Sequence, residues 1–279
     1  LNTYTSRKGL SEYLGGLRGG NKTIGFVPTM GALHQGHLSL IAIAQQLCDV
    51  VVCSIFVNPT QFNDPKDLEK YPRPIQSDIE KLEQAGCDIL FNPEVNEMYA
   101  GNEQWHLDLG ELEHLLEGKF RPGHYQGVTQ VVYKLFDILK PHLAFFGQKD
   151  YQQFLVIQKM VDMLSLPVKL VMCPILREPD GLAMSSRNIH LSAEDRQQAL
   201  ILSKTLKWLK ESFNPGGIDA LQKEGAAMIS AEPGINLEYL EIVDGKSLHP
   251  ATADSHPVVA LVAAKVGATR LIDNIIVSD

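Results

Sequence analysis

Apolar positions follow two alternating rhythms along the first two thirds of the chain. Short, nearly continuous runs at residues 22–27, 49–57, 88–91, 142–146 and 168–173 are rich in β-branched and aromatic side chains. Runs of this length predict strands, and the reading VVVCSIFV after Asp49 is typical of a strand covered on both faces. Between them, residues 38–47, 77–85, 128–139 and 151–164 carry apolar side chains at helical spacing, as in Leu40, Ile43, Ala44 and Leu47. Gly86 and Pro141 stop two of these helices. Repeated β-α-β with short links predicts an α/β fold: a Rossmann-like parallel sheet with helices on both faces.

The pattern changes in the last third. Ser192-Ala-Glu-Asp195 reads as an N-cap with two acids in the first turn. It opens a helix to about Phe213, which Asn214-Pro-Gly-Gly217 ends. A second helix to about Ser230 and strands near 235–243, 258–264 and 270–277 predict a smaller C-terminal α+β domain. The expected boundary divides residues 1–176 from residues 177–279.

Length and composition remove several classes. The 279 residues are 44% hydrophobic and 21% charged, ordinary for a globular chain, so intrinsic disorder and coiled-coil or collagen-like architecture are excluded. The longest unbroken apolar run, Val258 to Ala264, is far short of the ~20 residues that span a bilayer. No charged-then-apolar leader is visible, and the opening Leu1 reads as a trimmed start. The expectation is a soluble, cytoplasmic protein with no membrane partner. Net charge is −8, and no Lys/Arg cluster of the kind that neutralises a phosphate backbone appears, which argues against a nucleic-acid partner. Cys48, Cys53, Cys87 and Cys173 have no paired spacing and read as reduced thiols.

In parallel sheets ligands bind beyond the carboxyl ends of the strands. That directs attention to the segments after Val27, Val57, Phe146 and Cys173, and each is polar and unusual. Residues 28–37 read PTMGALHQGH. Gly31 and Gly36 let backbone approach a ligand, and the helix start beyond Gly36 offers N–H groups to an anion. His34 and His37, three apart, can donate to phosphate from one side. A Gly-rich turn with two surface imidazoles, or a metal pair, are the competing readings. Neither G-x-x-x-x-G-K-[ST] nor G-x-G-x-x-G occurs. Residues 58–63 place Asn58, Gln61 and Asn63 after a strong strand, suited to a small polar molecule. Gly147-Gln148-Lys149-Asp150 precedes a helix carrying Gln152 and Gln153, and a Lys there acts as a point charge on phosphate. Residues 177–188 hold Met184-Ser185-Ser186-Arg187, a dense donor set for a polyphosphate, with Gly181 suggesting mobility. Each segment also reads as an ordinary turn or linker taken alone.

Residues 28–37, 56–62, 146–153 and 177–188, with the ending Gly-Ala-Thr-Arg-Leu-Ile-Asp-Asn274, closely resemble the signature segments of the pantoate–β-alanine ligase family. The resemblance runs from about residue 24 to 276. The His-x-x-His element is shared with the wider nucleotidyltransferase and class I aminoacyl-tRNA synthetase superfamily, and 184–187 resembles a degenerate form of that superfamily's mobile lysine-containing loop. Gln148 stands where many members have Glu, a departure expected to matter little beside an intact Lys149 and Asp150.

The resemblance implies an AMP-forming amide ligase that makes a pantoyl adenylate from ATP and pantoate and passes it to β-alanine. By matching positions, Met30, Gly31, Ala32, Leu33, His34, Gln35, Gly36, His37, Gly147, Gln148, Lys149, Asp150, Leu176, Met184, Ser185, Ser186 and Arg187 contact ATP. Among these, His34, His37, Lys149, Ser185, Ser186 and Arg187 are catalytic. Gln61 and Gln153 hold pantoate, with Gln61 also near β-alanine. Mg²⁺ is carried on the ATP phosphates, with no metal site and no tightly bound cofactor in the protein, and the chain is a homodimer whose C-terminal domain serves as lid. The competing functions are another small-molecule nucleotidyltransferase, a tRNA synthetase-like protein and a catalytically silent ATP sensor.

Overall fold

The computed structural model describes residues 1–101 and 103–279. They form two compact units: Leu1–Gly147 with Gln153–Cys173, and Gln148–Gln152 with Pro174–Asp279.

The first unit is built on β1 (Asn2–Tyr4), β2 (Ile24–Thr29), β3 (Val50–Ile55), β4 (Ile89–Phe91), β5 (Leu143–Gly147) and β6 (Lys169–Cys173). They form one sheet in the order β1-β4-β3-β2-β5-β6, every pair parallel. The helices are α1 (Arg7–Gly19), α2 (Gln35–Leu47), α3 (Pro65–Lys70), α4 (Ile75–Gln84), α5 (Val95–Met98), α6 (Leu116–Phe120), α7 (His124–Leu139) and α8 (Tyr151–Met163).

Period-2 alternation sorts the strand side chains between two cores. Ile24 and Phe26, Val52, Ile89 and Phe91, and Ala144 and Phe146 pack with Leu10 and Leu14 of α1 and the apolar stripe of α7. Their neighbours Val27, Val51 and Cys53, Leu90 and Phe145 pack with Leu40, Ile41 and Ala44 of α2 and Leu82 of α4. Helices therefore cover both faces, which is why these strands read as continuous apolar runs. Burying each such side chain contributes about 1.5–3 kcal/mol.

Residues 1–20 show no clear apolar rhythm, yet they form β1 and α1. The strand is only three residues long, and α1 holds Gly9, Gly15, Gly16 and Gly19 with just Leu10 and Leu14 buried. Its start is fixed instead by a cap, Ser6 Oγ accepting from Gly9 N–H at 3.2 Å. Helices expected at 38, 77 and 128 begin earlier, at Gln35, Ile75 and His124, because their first turns are polar.

In the second unit, α9 (Ala193–Glu211) and α10 (Ile218–Ser230) pack on an antiparallel sheet, β7 (Ile235–Asp244), β8 (Val258–Val266) and β9 (Thr269–Ser278), in the order β7-β8-β9. Ser192 and Asp195 form a reciprocal cap on α9. Val258, Ala260, Val262, Ala264 and Val266 face the helical core, and Val259, Leu261 and Ala263 between them are buried too. Burial of both faces explains the long apolar run.

All four cysteines are free thiols. Burial pushes Cys48, Cys87 and Cys173 up to about 11 and raises Cys53 well above the usual thiol range. At pH 8 the thiolate fraction then falls a few hundredfold below that of an ordinary cysteine. The native protein is accordingly expected to react slowly with a disulfide reagent at pH 8 and to release four equivalents on denaturation; fast native titration would contradict this burial. No helix among the described residues is long and apolar enough to cross a membrane.

Candidate active site

The segment after β2 is shaped by hydrogen bonds that its own composition only partly announces. Thr29 Oγ1 donates to Ser54 O (2.7 Å) and accepts from Gly31 N–H (3.2 Å), turning the chain off the sheet. Gly31 has φ +81°, and a Cβ there would stand 3.0 Å from both Asp78 Oδ2 and Ile55 Cγ2, so glycine is required. The carboxylate of Asp78, on α4 and 1% exposed, accepts the N–H of Ala32 and the N–H of Leu33, each at 2.8 Å. One turn on, Lys81 Nζ donates to Leu33 O (2.7 Å). Two side chains of α4 thus pin one side of the loop.

The other side carries the histidines. His34 is the N-cap of α2: its Nδ1 accepts from Gly36 N–H (3.1 Å), and His37 Nδ1 accepts from His34 N–H (3.3 Å). This is a capping box with imidazoles in place of the usual hydroxyl and carboxylate. An Nδ1 that accepts a hydrogen bond assigns the neutral ring's proton to Nε2, making Nε2–H a donor. The two rings lie with centroids 4.0 Å apart. The helix start expected to offer open N–H groups beyond Gly36 is therefore corrected: α2 begins at Gln35 and the Gly36 N–H is donated to His34. The amides of Ala32 and Leu33 are likewise engaged with Asp78.

Beyond β3, Asn58 caps a 3₁₀ turn, Pro59–Gln61. Its buried amide donates to Gln61 Oε1 (3.1 Å) and Gly127 O (3.1 Å), and its Oδ1 accepts from Tyr99 O–H (2.6 Å). A Cβ on Gly127 would come within 2.3 Å of Thr60 O, so only glycine lets α7 approach this turn. Gln61 Nε2 reaches Met30 Sδ at 3.2 Å. The first unit thereby brings together Met30 and Gln61, two segments expected in the site. A cavity of about 820 Å³ opens beside them, lined in part by Met30, Gly31, Phe56, Arg73, Asn92 and Glu94; of the expected site residues, it touches Met30 and Gly31.

The remaining candidates divide between the units. Gly147 and Gln153 belong to the first. Gln148, Lys149 and Asp150, a single 3₁₀ turn, belong to the second along with Leu176, Met184, Ser185, Ser186 and Arg187. Met184 N–H donates to Leu176 O (3.0 Å), and Ser185 Oγ caps the 3₁₀ turn Ser186–His190 by accepting from Arg187 N–H (3.2 Å). Arg177 forms a two-pronged pair with Asp273 of β9 (2.7 and 3.0 Å). Burial pushes the Asp273 carboxyl above the usual carboxylate range, while Arg177, the Asn274 N–H and Lys149 pull it back. Beside it, Asn274 bonds to the Gln148–Lys149 backbone and to the Gln148 amide.

The residue-by-residue reading missed Asp78, Asp273 and Asn274 as parts of this arrangement. Asp78 gave no signal beyond an acid in a first helical turn. The Asp273-Asn274 pair did give one: two adjacent polar residues inside the apolar run Leu271-Ile272…Ile275-Ile276 cannot both face solvent in a covered strand.

Comparison with known proteins adds an independent line. The family described as pantoate-beta-alanine ligase matches residues 2–276. A pantothenate synthetase of Thermotoga petrophila is 48% identical over 278 residues, covering 99% of this chain and 98% of its own. One from Acidobacterium capsulatum is 49% identical over 263 residues, 93% and 88% of the two chains. Among solved structures, pantothenate synthetase from Thermus thermophilus superposes with TM-score 0.94 at 40% identity, covering 100% of both chains. A pantoate-beta-alanine ligase from Francisella tularensis, complexed with beta-gamma ATP and beta-alanine, gives TM-score 0.82 at 36% identity, covering 99% and 98%.

Proposed function

The chain belongs to the pantoate–β-alanine ligase family, and from that premise we propose that it condenses pantoate with β-alanine through a pantoyl adenylate, releasing AMP and pyrophosphate. It is an amide-forming ligase that uses ATP. In the first step a pantoate carboxylate oxygen bonds to the α-phosphorus and the bond to pyrophosphate breaks. The carboxylate is already ionised at pH 7, its pKa being ~4, so no general base is needed. What the step does need is stabilisation of charge on the phosphorus oxygens and the leaving pyrophosphate. In the second step the β-alanine amine attacks the acyl carbon and AMP leaves.

The single observation that carries this reading is the paired imidazoles. His34 Nδ1 accepts from Gly36 N–H and His37 Nδ1 accepts from His34 N–H, so the loop's own backbone sets the orientation of both rings, which supports assigning them to the phosphates. His34 and His37 are assigned to the phosphates, with Met30–Gly36 backbone and side chains around the nucleotide. Lys149, Ser185, Ser186 and Arg187 supply the remaining positive charge and hydroxyl donors, with Gly147, Gln148, Asp150, Leu176 and Met184 completing the nucleotide contacts. Gln61 and Gln153 are assigned to pantoate, and Gln61 also to β-alanine. Neutral amides suit a nucleophilic carboxylate better than Arg, which would hold its lone pairs in a salt bridge. Among the described residues no group of three or more His, Cys, Asp or Glu side chains is placed to hold a metal ion. Mg²⁺ would ride on ATP's own oxygens, as it usually does, and neutralise them. Residues 1–176 are assigned ATP and pantoate, and residues 177–279 contribute the 184–187 donors as a lid. A cytoplasmic homodimer accompanies this reading and is supported by the family resemblance.

The test is isotope exchange between pyrophosphate and ATP. Pantoate without β-alanine is expected to support exchange, and all three substrates together to yield AMP and pantothenate. Turnover without exchange would remove the free adenylate; a nucleotide retained in the product would make the protein a nucleotidyltransferase of another kind.

A further inference from the structure

Two consecutive residues of β9 tie together segments that the reading above assigns to ATP. Asn274, 1% exposed, uses its side chain almost completely. Its Nδ2 donates to Gln148 O (2.9 Å) and Lys149 O (3.0 Å), and its Oδ1 accepts from Gln148 Nε2 (3.1 Å). The preceding Asp273, 4% exposed, accepts both prongs of Arg177 and also the Asn274 N–H (2.8 Å). Arg177 in turn donates to Gly181 O (3.2 Å) and pairs by an antiparallel bridge with Ala183, immediately before Met184. All these groups lie within one unit.

A lysine is a point charge on a flexible stem, and its usefulness to a phosphate depends on where its backbone is held. Asn is well suited to this task, because one side chain supplies two donors for adjacent carbonyls and one acceptor for the neighbouring amide. Misplacing a charged group by about 1 Å can cost ~10²-fold in rate. We propose that Asn274 is a positioning residue for ATP: it fixes the Gln148–Lys149 backbone, and through Asp273 and Arg177 the same strand holds the segment leading to Met184–Arg187. This rests on the assignment of Lys149 to the phosphates. It also gives Gln148 a role that an ionised Glu, which has no donor, would not fill toward Asn274 Oδ1.

A merely structural tie would lower the active fraction and leave every KM alone. A positioning tie moves the ATP constant selectively. Asn274→Ala in the full-length enzyme is expected to raise KM for ATP about tenfold or more while KM for pantoate stays within about twofold. Asn274→Ser, which keeps one O–H for one carbonyl, should fall between Ala and wild type and serves equally if the Ala variant does not fold. Asp273→Asn should shift the ATP constant in the same direction by releasing Arg177. An ATP constant unchanged in the folded variants, or moving in step with that for pantoate, overturns the proposal while the ligase reading stands. A wild-type enzyme that makes no pantothenate from the three substrates overturns the ligase reading, and this proposal with it.

Discussion

His37→Ala is expected to lower pantoate-dependent exchange between ATP and pyrophosphate by about 10²–10³-fold, the usual loss when one preorganised donor to a developing oxyanion is removed. The variant has a second effect, because the His37 ring also accepts the His34 N–H as part of the α2 cap. Loss of a cap costs about 0.5–2 kcal/mol, enough to lower the melting temperature by a few degrees. His37→Glu separates the two roles. Glu is the usual N3 residue that accepts the N-cap N–H, so it should restore most of the melting temperature, yet it brings a negative charge to the polyphosphate and should leave exchange as low or lower. Exchange at the wild-type level in His37→Ala would take the imidazole out of the mechanism. Exchange recovered by His37→Glu would show that the cap, and not donation to phosphate, was the function.

The cap at His37 marks where sequence reasoning reached and where it stopped. The strands announced themselves because they are covered on both faces, so Val51–Cys53 or Ala144–Phe146 need no alternation to be recognised. The C-terminal helix announced itself through the Ser192/Asp195 cap. The segments after β2, β3, β5 and β6 were identifiable because parallel topology places polar loops at the strands' carboxyl ends. What stayed hidden depends on partners distant in sequence. The sequence offered His34 and His37 as candidate phosphate donors and gave no sign of them as caps, since imidazole is not a usual capping group. Asp78 lies 45 and 46 positions from the amides it holds, and Asn274 more than a hundred from Gln148. No local pattern encodes such pairings. The short β1 and glycine-rich α1 were hidden for the opposite reason: local propensity is weak there, and tertiary packing of Leu10 and Leu14 decides the outcome.

Asp78→Ala should produce the largest combined effect on stability and activity in the first unit. The carboxylate is buried and receives two backbone N–H groups from a loop that includes a left-handed glycine. Truncation leaves both donors without an acceptor, at about 1–3 kcal/mol each. Against roughly 2–4 °C per kcal/mol for a chain of this size, the melting temperature should fall by about 4–24 °C. The loop would also lose its anchor on α4 apart from the Lys81 bond to Leu33 O. Freed amides at Ala32 and Leu33 would then be available to compete for the cap atoms or for solvent, and the geometry of His34 and His37 would loosen with them. KM for ATP should therefore rise about tenfold or more, since a misplaced donor loses most of its value. Asp78→Asn discriminates geometry from charge. It is isosteric and keeps one acceptor oxygen, so it should retain part of both stability and exchange. If Asn instead lost as much exchange as Ala while melting within a degree or two of wild type, the negative charge itself would be the working element and the loop-anchoring account would fail. If Ala melted like wild type, the two amides would have found other acceptors, and Asp78 would not be what holds the histidine loop in place.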